Sequence, residues 1–222
     1  KYPLNGAGKP DKKKRPFIVD PKTDGAVIAP WSVSDIGFGR FLCDIFDYWI
    51  RNDVGRYFVT NFDATLANWV GEMPGTCTFA QTCGGNAVIE HNGDLYPCDH
   101  FVYKDYLLGN IADKSIAEMM RSDKQTAFGI DKRNKLPTKC LRCEWLFACN
   151  GECPKHRFNT YESRQARGGA RIETDLNALC AGYQMFFSHV APYMDYMKDL
   201  LSRKMSPAYV IPWARTHAMQ QR

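Results

Sequence analysis

The chain has 222 residues, 45% of them hydrophobic and 24% charged, enough for one large domain or two small ones with a buried core and no need of disulfide staples for size. Its formal net charge of +5 arises in the first fifteen residues, where Lys1, Lys9, Lys12, Lys13, Lys14 and Arg15 face only Asp11, so the remainder balances near zero and the basic strip reads as a solvated segment, not a nucleic-acid footprint. No run approaches the roughly eighteen apolar residues of a membrane span, and "KYPLNGAGKPDKKKRP" lacks a signal peptide's apolar centre, so a cytoplasmic protein without a membrane partner is expected; no nucleic-acid partner is expected from the charge distribution, and a monomer is the expected state. A start at Lys1, without methionine, suggests that an upstream part is missing.

Residues 1–30, rich in Pro, Gly and Lys, read as a loop or broken edge. "WSVSDIGFGRFLCDIFDYWIRNDVG" then places Phe38, Phe41, Leu42, Ile45, Phe46, Trp49 and Ile50 on one helical stripe, with Ser32 or Ser34 as cap and Gly55 past the end. Cys43, within this helix, reads as a small core residue. "RYFVTNF" is β-rich, and a helix feeding a strand is what the last units of an α/β barrel would look like.

From about Gly71 the texture shifts to short strands, turns and cysteines. "AVIEHNGDLYPC" is a β-hairpin signal around Asn92-Gly93, with a type I′ turn expected and Gly93 supplying positive φ. "SIAEMMRS" has Ser115 and Glu118 in capping-box spacing and predicts a short helix. After the cysteine loop, "RFNTYESRQARGGARIETD" reads as a polar surface loop. "LNALCAGYQMFFSHVAPYMDYMKDLL" returns to helical periodicity, with Pro192 expected to kink or divide it, and the tail from Ser202 reads as peripheral.

Nine cysteines, an odd number, favour metal ligation over disulfides in a chain with no sign of secretion. Eight of them lie between Cys77 and Cys180 at intervals x5, x14, x41, x2, x5, x3 and x26. Eight is twice the four thiolates of a tetrahedral zinc site or a cubane [4Fe–4S] cluster, and two four-cysteine sites would use every one. A zinc ribbon places two C-x2-C knuckles in one short domain, whereas here there is one, Cys140 to Cys143; spacing alone leaves both metals open. Trp145 and Phe147 would screen a cluster from water, and Gly84, Gly85 and Gly151 would let backbone approach one. "CNGECPKH" begins like the C-x3-C-x2-C loop of radical S-adenosylmethionine enzymes, but its third position is His156.

"GTCTFAQTCGGNAVIEHNGDLYPCDHFVYKDYLLGNI" and "CLRCEWLFACNGECPKHRF" resemble the SPASM domain of anaerobic sulfatase-maturating enzymes, and the likeness spans roughly Trp31 to Leu201. The 26-residue gap before Cys180 is longer than the family pattern suggests. The resemblance implies an α/β architecture: the end of a partial (β/α) radical-SAM barrel and its bridge at 1–70, a small loop-rich α+β SPASM domain with a β-hairpin at 71–201, and a tail at 202–222. It implies that Cys77, Cys83, Cys98 and Cys153 hold one auxiliary [4Fe–4S] cluster and Cys140, Cys143, Cys149 and Cys180 a second. S-adenosylmethionine and a third cluster would belong to the missing N-terminal part, leaving this chain inactive alone. The implied activity is oxidation of a cysteine or serine of an unfolded or nascent sulfatase, in a Cys/Ser-x-Pro-x-Arg motif, to Cα-formylglycine, with Asp99 matching the family's proposed base. Without the resemblance, Asp99 would read as a solvated turn residue; His100 reads as a hydrogen-bonding neighbour of the ligands. Two other functions fit the same cysteines: a SPASM maturase acting on another peptide class, and a zinc-binding interaction module.

Overall fold

The computed structural model describes residues 11–13, 18–23, 26–158, 161–164, 170–173 and 175–217. The chain divides into two compact units, one formed by Lys1–Ser32, Gln81–Arg142 and Gly151–Ala178, the other by Val33–Ala80, Cys143–Asn150 and Leu179–Arg222.

The second unit is helical. Helix α1 (Asp35–Asn52) starts where Ser34 accepts the Gly37 N–H at 3.1 Å, which satisfies one of the donors a helix start leaves open. Leu42, Phe46, Trp49 and Ile50 are buried, but Phe41 is 58% and Ile45 38% exposed. At 100° per residue the predicted stripe is too wide for one packing face, and these two fall on its solvent flank beside Tyr48. "RYFVTNF" is no strand: it leaves the turn at Asp53–Arg56 and enters helix α2 (Thr60–Val70), whose buried Phe62 sits edge-on to Phe46. Among the described residues no barrel strand follows α1.

In the first unit the expected hairpin forms from β1 (Val88–Ile89) and β2 (Asp94–Tyr96), and β3 (Gly109–Asn110) adds to the other edge of β2, antiparallel. Its turn is not type I′: the Gly93 N–H closes onto the Glu90 carbonyl and, of Asn92 and Gly93, only Gly93 has positive φ, the pattern of a type I turn with a following bulge. Helix α3 (Ile116–Met120) carries the complete Ser115–Glu118 capping box. Helix α4 (Asp123–Asn134) follows, capped by Ser122, and then the short α5 (Thr138–Leu141).

Helix α6 (Leu146–Cys149) returns to the helical unit. Within the segment expected to be a loop, β4 (Tyr161–Arg164) and β5 (Ala170–Glu173) pair antiparallel; their connection lies outside the described residues. Backbone pairing of this kind needs no apolar face, so a polar sequence hid it.

Helix α7 (Cys180–Ser202) runs through Pro192 undivided. Nine of its residues are buried, among them Val190, Tyr193 and Met194 around the proline, and this packing outweighs the roughly 3 kcal/mol that proline costs a helix interior. The tail is not peripheral: α8 (Val210–Thr216) buries Val210 and Ala214, and Trp213 stacks on Tyr196 at 4.5 Å. No described helix is long and apolar enough to cross a membrane.

The interiors of the two units differ in kind. The helical unit holds a continuous apolar cluster of Phe46, Phe62, Phe79, Phe186, Phe187 and their neighbours. Among its described residues the other buries the apolar side chains of Pro21, Leu95, Pro97, Phe101, Met119, Leu176 and Ala178, beside Gln125, Lys132, Glu152, Arg157 and Asn177. Polar groups are buried at a cost unless paired, so this unit is organised around hydrogen bonds and thiols.

Candidate metal centre

Three of the eight clustered cysteines, Cys83, Cys98 and Cys153, are half-buried in the polar unit and close enough that their charges act on one another. Each arrives on a differently held loop. The Cys83 N–H bonds the Gly129 carbonyl of α4 at 3.0 Å, and Gln125, one turn earlier on the same face, donates to the Gly84 carbonyl at 2.6 Å. Gln125, Gly129 and Lys132 form the buried stripe of α4, and none of them is apolar enough to be found by hydrophobic periodicity.

Cys98 leaves the hairpin at β2 and caps a 3-10 turn over Asp99–Phe101, its sulfur accepting the His100 N–H at 3.4 Å. The cap here is the sulfur; the Asp99 carboxylate accepts from the Cys98 thiol at 3.3 Å. Phe101 anchors the turn through edge-on packing with Phe128 at 5.3 Å. Asp99 and His100 remain exposed, and the His100 Nδ1 is 3.7 Å from the Cys153 sulfur. Cys98, Asp99 and His100 bring three ligand atoms within 4.8 Å of one another.

Cys153 follows Asn150, Gly151 and Glu152, three consecutive residues at φ 48, 70 and 50. Two of them are non-glycine residues in the left-handed region, a conformation that persists only where the surroundings impose it. Here buried Arg157 supplies the constraint, donating to the carbonyls of Gly151 (3.0 Å), Glu152 (3.2 Å) and Lys132 (2.7 Å). The buried Glu152 carboxylate is bonded by Asn177 and lies 2.7 Å from the His156 Nδ1, which raises the His156 pKa against the opposing effect of burial. Lys155 bonds the Tyr103 hydroxyl and lies over its ring at 4.3 Å.

Burial pushes the Cys98 thiol up to about 11 and the Cys153 thiol up to about 12. The charges of Asp99 and Cys83 add to the rise at Cys98, and those of Glu152, Cys83 and Cys98 at Cys153; single backbone N–H bonds, from His100 and Lys155, oppose it. Crowded, desolvated sulfurs of this kind resist ionisation until a cation joins them, which is the behaviour of a metal donor set.

Cys140 lies on α5 of this same unit. Cys77, Cys143, Cys149 and Cys180 lie in the helical unit. There the Phe79 carbonyl, two residues after Cys77, accepts from both Asn68 (3.0 Å) and Asn150 (2.7 Å), and Asn68 also holds the Ala148 carbonyl beside Cys149 (2.9 Å). Cys180 opens α7, and Gln184 one turn later reaches within 3.9 Å of the Cys143 sulfur. Trp145 stacks on Trp69 at 5.8 Å and packs against the apolar core, whereas Phe147 is largely exposed. Cys43, on α1, packs against that core, and burial with the charges of Asp47 and Asp44 holds its thiol at about 11.

The supporting residues Gln125, Gly129, Lys132 and Arg157 are absent from any reading by cysteine spacing. The available signal was a polar helix between ligands, with its only glycine at the centre of an i, i+4, i+7 row.

Residues 77–144 match the SPASM family model, described as an iron-sulfur cluster-binding domain. The chain is 53% identical over 184 residues to a serine-type anaerobic sulfatase-maturating enzyme of Bacteroides thetaiotaomicron, covering 83% of this chain and 42% of that relative. A serine-type enzyme of Klebsiella pneumoniae is 31% identical (87% and 46% covered), and a cysteine-type enzyme of Clostridium perfringens 28% (73% and 42%). Among solved structures, native anSMEcpe with bound AdoMet and Cp18Cys peptide superposes with a TM-score of 0.66 at 25% identity, covering 82% of this chain and 48% of that one. A histidine-tagged form with bound AdoMet shares the fold at the same TM-score and 24% identity, over 90% and 50% of the two chains. The likeness thus extends from the thiol-rich segment through the helices around it: the chain shows strong homology to serine-type anaerobic sulfatase-maturating enzymes and matches the SPASM iron–sulfur model, while spanning less than half the length of these curated relatives.

Proposed function

We propose that this chain is the C-terminal portion of an enzyme that converts a sulfatase serine to Cα-formylglycine, with Asp99 as proton acceptor beside an iron–sulfur centre. In this reading Cys77, Cys83, Cys98 and Cys153 hold one auxiliary [4Fe–4S] cluster, and Cys140, Cys143, Cys149 and Cys180 the other. The observation that carries it is the gathering of Cys83, Cys98 and Cys153, two of them, Cys98 and Cys153, with raised thiol pKa values, in a unit that buries Gln125, Lys132, Glu152, Arg157 and Asn177. Bound there, a cluster supplies an acceptor for one electron.

The chain's own residues then have defined tasks. Oxidation of a serine side chain to an aldehyde removes a hydroxyl proton as well as electrons, and the proton needs a base within hydrogen-bond reach. Asp99 is exposed, and one of its oxygens now accepts the Cys98 thiol proton. Ligation of Cys98 removes that proton and leaves both oxygens to accept from substrate. The 3-10 turn capped by Cys98 fixes the carboxylate at the thiol, and Phe101 packing fixes the turn.

Serine-type substrates are favoured by the 53% and 31% identities to serine-type relatives against 28% for the cysteine-type one. The peptide in the likened structure supports a polypeptide substrate, here an unfolded sulfatase segment bearing Ser-x-Pro-x-Arg. The division into barrel end and bridge (1–70), SPASM domain (71–201) and tail (202–222) belongs to this reading, as does the placing of S-adenosylmethionine and the third cluster outside this chain, which would make it inactive alone. Anaerobic reconstitution with iron and sulfide tests the core of it. About eight irons and eight sulfides per chain, as two [4Fe–4S] clusters hold, is the expected result. About two zincs without sulfide would replace it with a structural or binding module.

A further inference from the structure

His100 touches two of the gathered thiols from one backbone position. Its N–H donates to the Cys98 sulfur at 3.4 Å, and its ring Nδ1 lies 3.7 Å from the Cys153 sulfur. The two cysteines arrive on separate loops, one leaving β2 and the other following Gly151 and Glu152, so the ring spans a gap between two chain segments. Burial does not force this contact, because His100 is exposed. The placement comes from its turn: the 3-10 turn over Asp99–Phe101 fixes the backbone, and Phe101 anchors it edge-on to Phe128 at 5.3 Å.

The sulfur decides which way the hydrogen points. A protonated Cys153 can donate its own hydrogen to Nδ1. A thiolate bound to a metal has lost that hydrogen and only accepts, so the contact is then attractive only if Nδ1 carries one, which leaves Nε2 of the neutral ring as the acceptor. The neighbours of metal ligands set the properties of a centre by hydrogen bonds of this kind.

Resting on the ligand assignment above, we propose that His100 is a positioning residue for the first auxiliary cluster, its neutral imidazole donating Nδ1–H to the Cys153 thiolate and holding the cluster's reduction potential up. Four thiolates around a [4Fe–4S] core leave a net negative centre, and uptake of one electron makes it more negative by one. A hydrogen bond to a ligand sulfur stabilises the reduced form more than the oxidised form and so eases electron uptake. One short turn then serves both parts of the oxidation: Asp99 takes the hydroxyl proton of the serine, and His100, the next residue, favours entry of the electron.

The test compares wild-type protein with His100→Asn, whose amide nitrogen stands at the same number of bonds from the backbone as Nδ1, and His100→Leu, which keeps the branch there and removes the donor. Each is reconstituted anaerobically, assayed for iron, sulfide and zinc, and reduced stepwise with dithionite while the EPR signals of the reduced clusters are followed against potential. The expected result is one couple displaced to lower potential in His100→Leu, the other unmoved, and both at wild-type values in His100→Asn. Two unmoved couples in a fully loaded His100→Leu overturn the proposal, as does an equal displacement in both variants. If His100→Leu fails to load, iron retention becomes the readout: iron kept by His100→Asn but lost from His100→Leu supports the donor role, and equal loss from both overturns it. Zinc without sulfide in the wild-type protein would show separately, before any variant is compared, that the cluster reading itself has failed and the proposal with it.

Discussion

Cys83 and Gly129 meet backbone to backbone: the Cys83 N–H donates to the Gly129 carbonyl at 3.0 Å, and a Cβ built on Gly129 would lie 2.7 Å from the Cys83 carbonyl oxygen. A glycine inside a helix costs about 1 kcal/mol relative to alanine, so its presence at the middle of α4 is a sacrifice of helix stability for a close approach. Gly129→Ala should recover that helix propensity and lose more to the clash, because the opposing atom is backbone and cannot swing away. A net loss of about 1–3 kcal/mol in urea unfolding is expected. Displacement of Cys83 should also lower the iron retained after reconstitution. An unchanged iron content would show that this contact does not place the ligand.

Gly182 makes the tightest approach in the helical unit. A Cβ there would lie 2.1 Å from the Asp35 carbonyl oxygen, and one on Gly39 would lie 2.7 Å from the Gly182 backbone. Helices α1 and α7 thus cross through a pair of glycines, two residues after Cys180. Gly182→Ala should force the helices apart and cost about 1–3 kcal/mol, with a lowered urea midpoint and an unchanged slope. An increase in stability would mean that α7 can shift freely at this end.

The parts of the structure legible in the sequence are those whose signals are local. The Asn92-Gly93 turn and the Ser115–Glu118 box each act over a few residues, and the structure keeps both in place, the turn in a form other than the expected type I′. What escaped has a common cause: its logic is tertiary. The buried row of α4 is Gln125, Gly129 and Lys132, which no apolar periodicity marks, because that face meets carbonyls and thiols. Arg157 looks like a surface residue in a basic stretch, yet it is buried by three carbonyls that only the folded loop assembles. "RYFVTNF" has β-prone residues, but Phe62 finds Phe46 and Trp49 as packing partners, and tertiary packing overrides propensity. The α8 helix was recoverable, since Val210, Trp213 and Ala214 stand at i, i+3 and i+4.

The capping box of α3 carries a pH dependence whose sign follows from its hydrogen bonds. The Ser115 hydroxyl and backbone N–H both donate to Glu118 and hold its carboxyl below the ordinary value of 4.5. A depressed folded-state pKa gives stability that is present above the ordinary value and lost as pH falls through the lowered one. Ser115→Ala removes the side-chain part of this effect together with the cap on the Glu118 N–H. The melting temperature of Ser115→Ala should therefore sit below wild type at neutral pH, with the gap narrowing as the solution is acidified below the ordinary Glu value. A gap that widens on acidification would contradict the assignment.

Asp99 separates the catalytic reading from the structural one. Its carboxylate accepts from the Cys98 thiol, and its backbone begins the turn that Cys98 caps. Asp99→Asn keeps the size of the side chain and the turn, so the loop that carries Cys98 should stay folded. It replaces an acceptor-only carboxylate by a neutral amide that cannot take up a proton at any working pH. Iron and sulfide in the reconstituted variant should match wild type, and the melting temperature should change little. In the complete enzyme, given a Ser-x-Pro-x-Arg peptide, formylglycine formation should fall by about 10²–10⁴, the range a positioned base contributes. Cleavage of S-adenosylmethionine, which precedes the proton transfer, should persist. Loss of iron together with activity would return Asp99 to a structural role at the Cys98 turn. Full activity with full iron would move the search for the base to another group, starting with His100, whose ring stands 3.7 Å from the Cys153 sulfur on the same exposed edge.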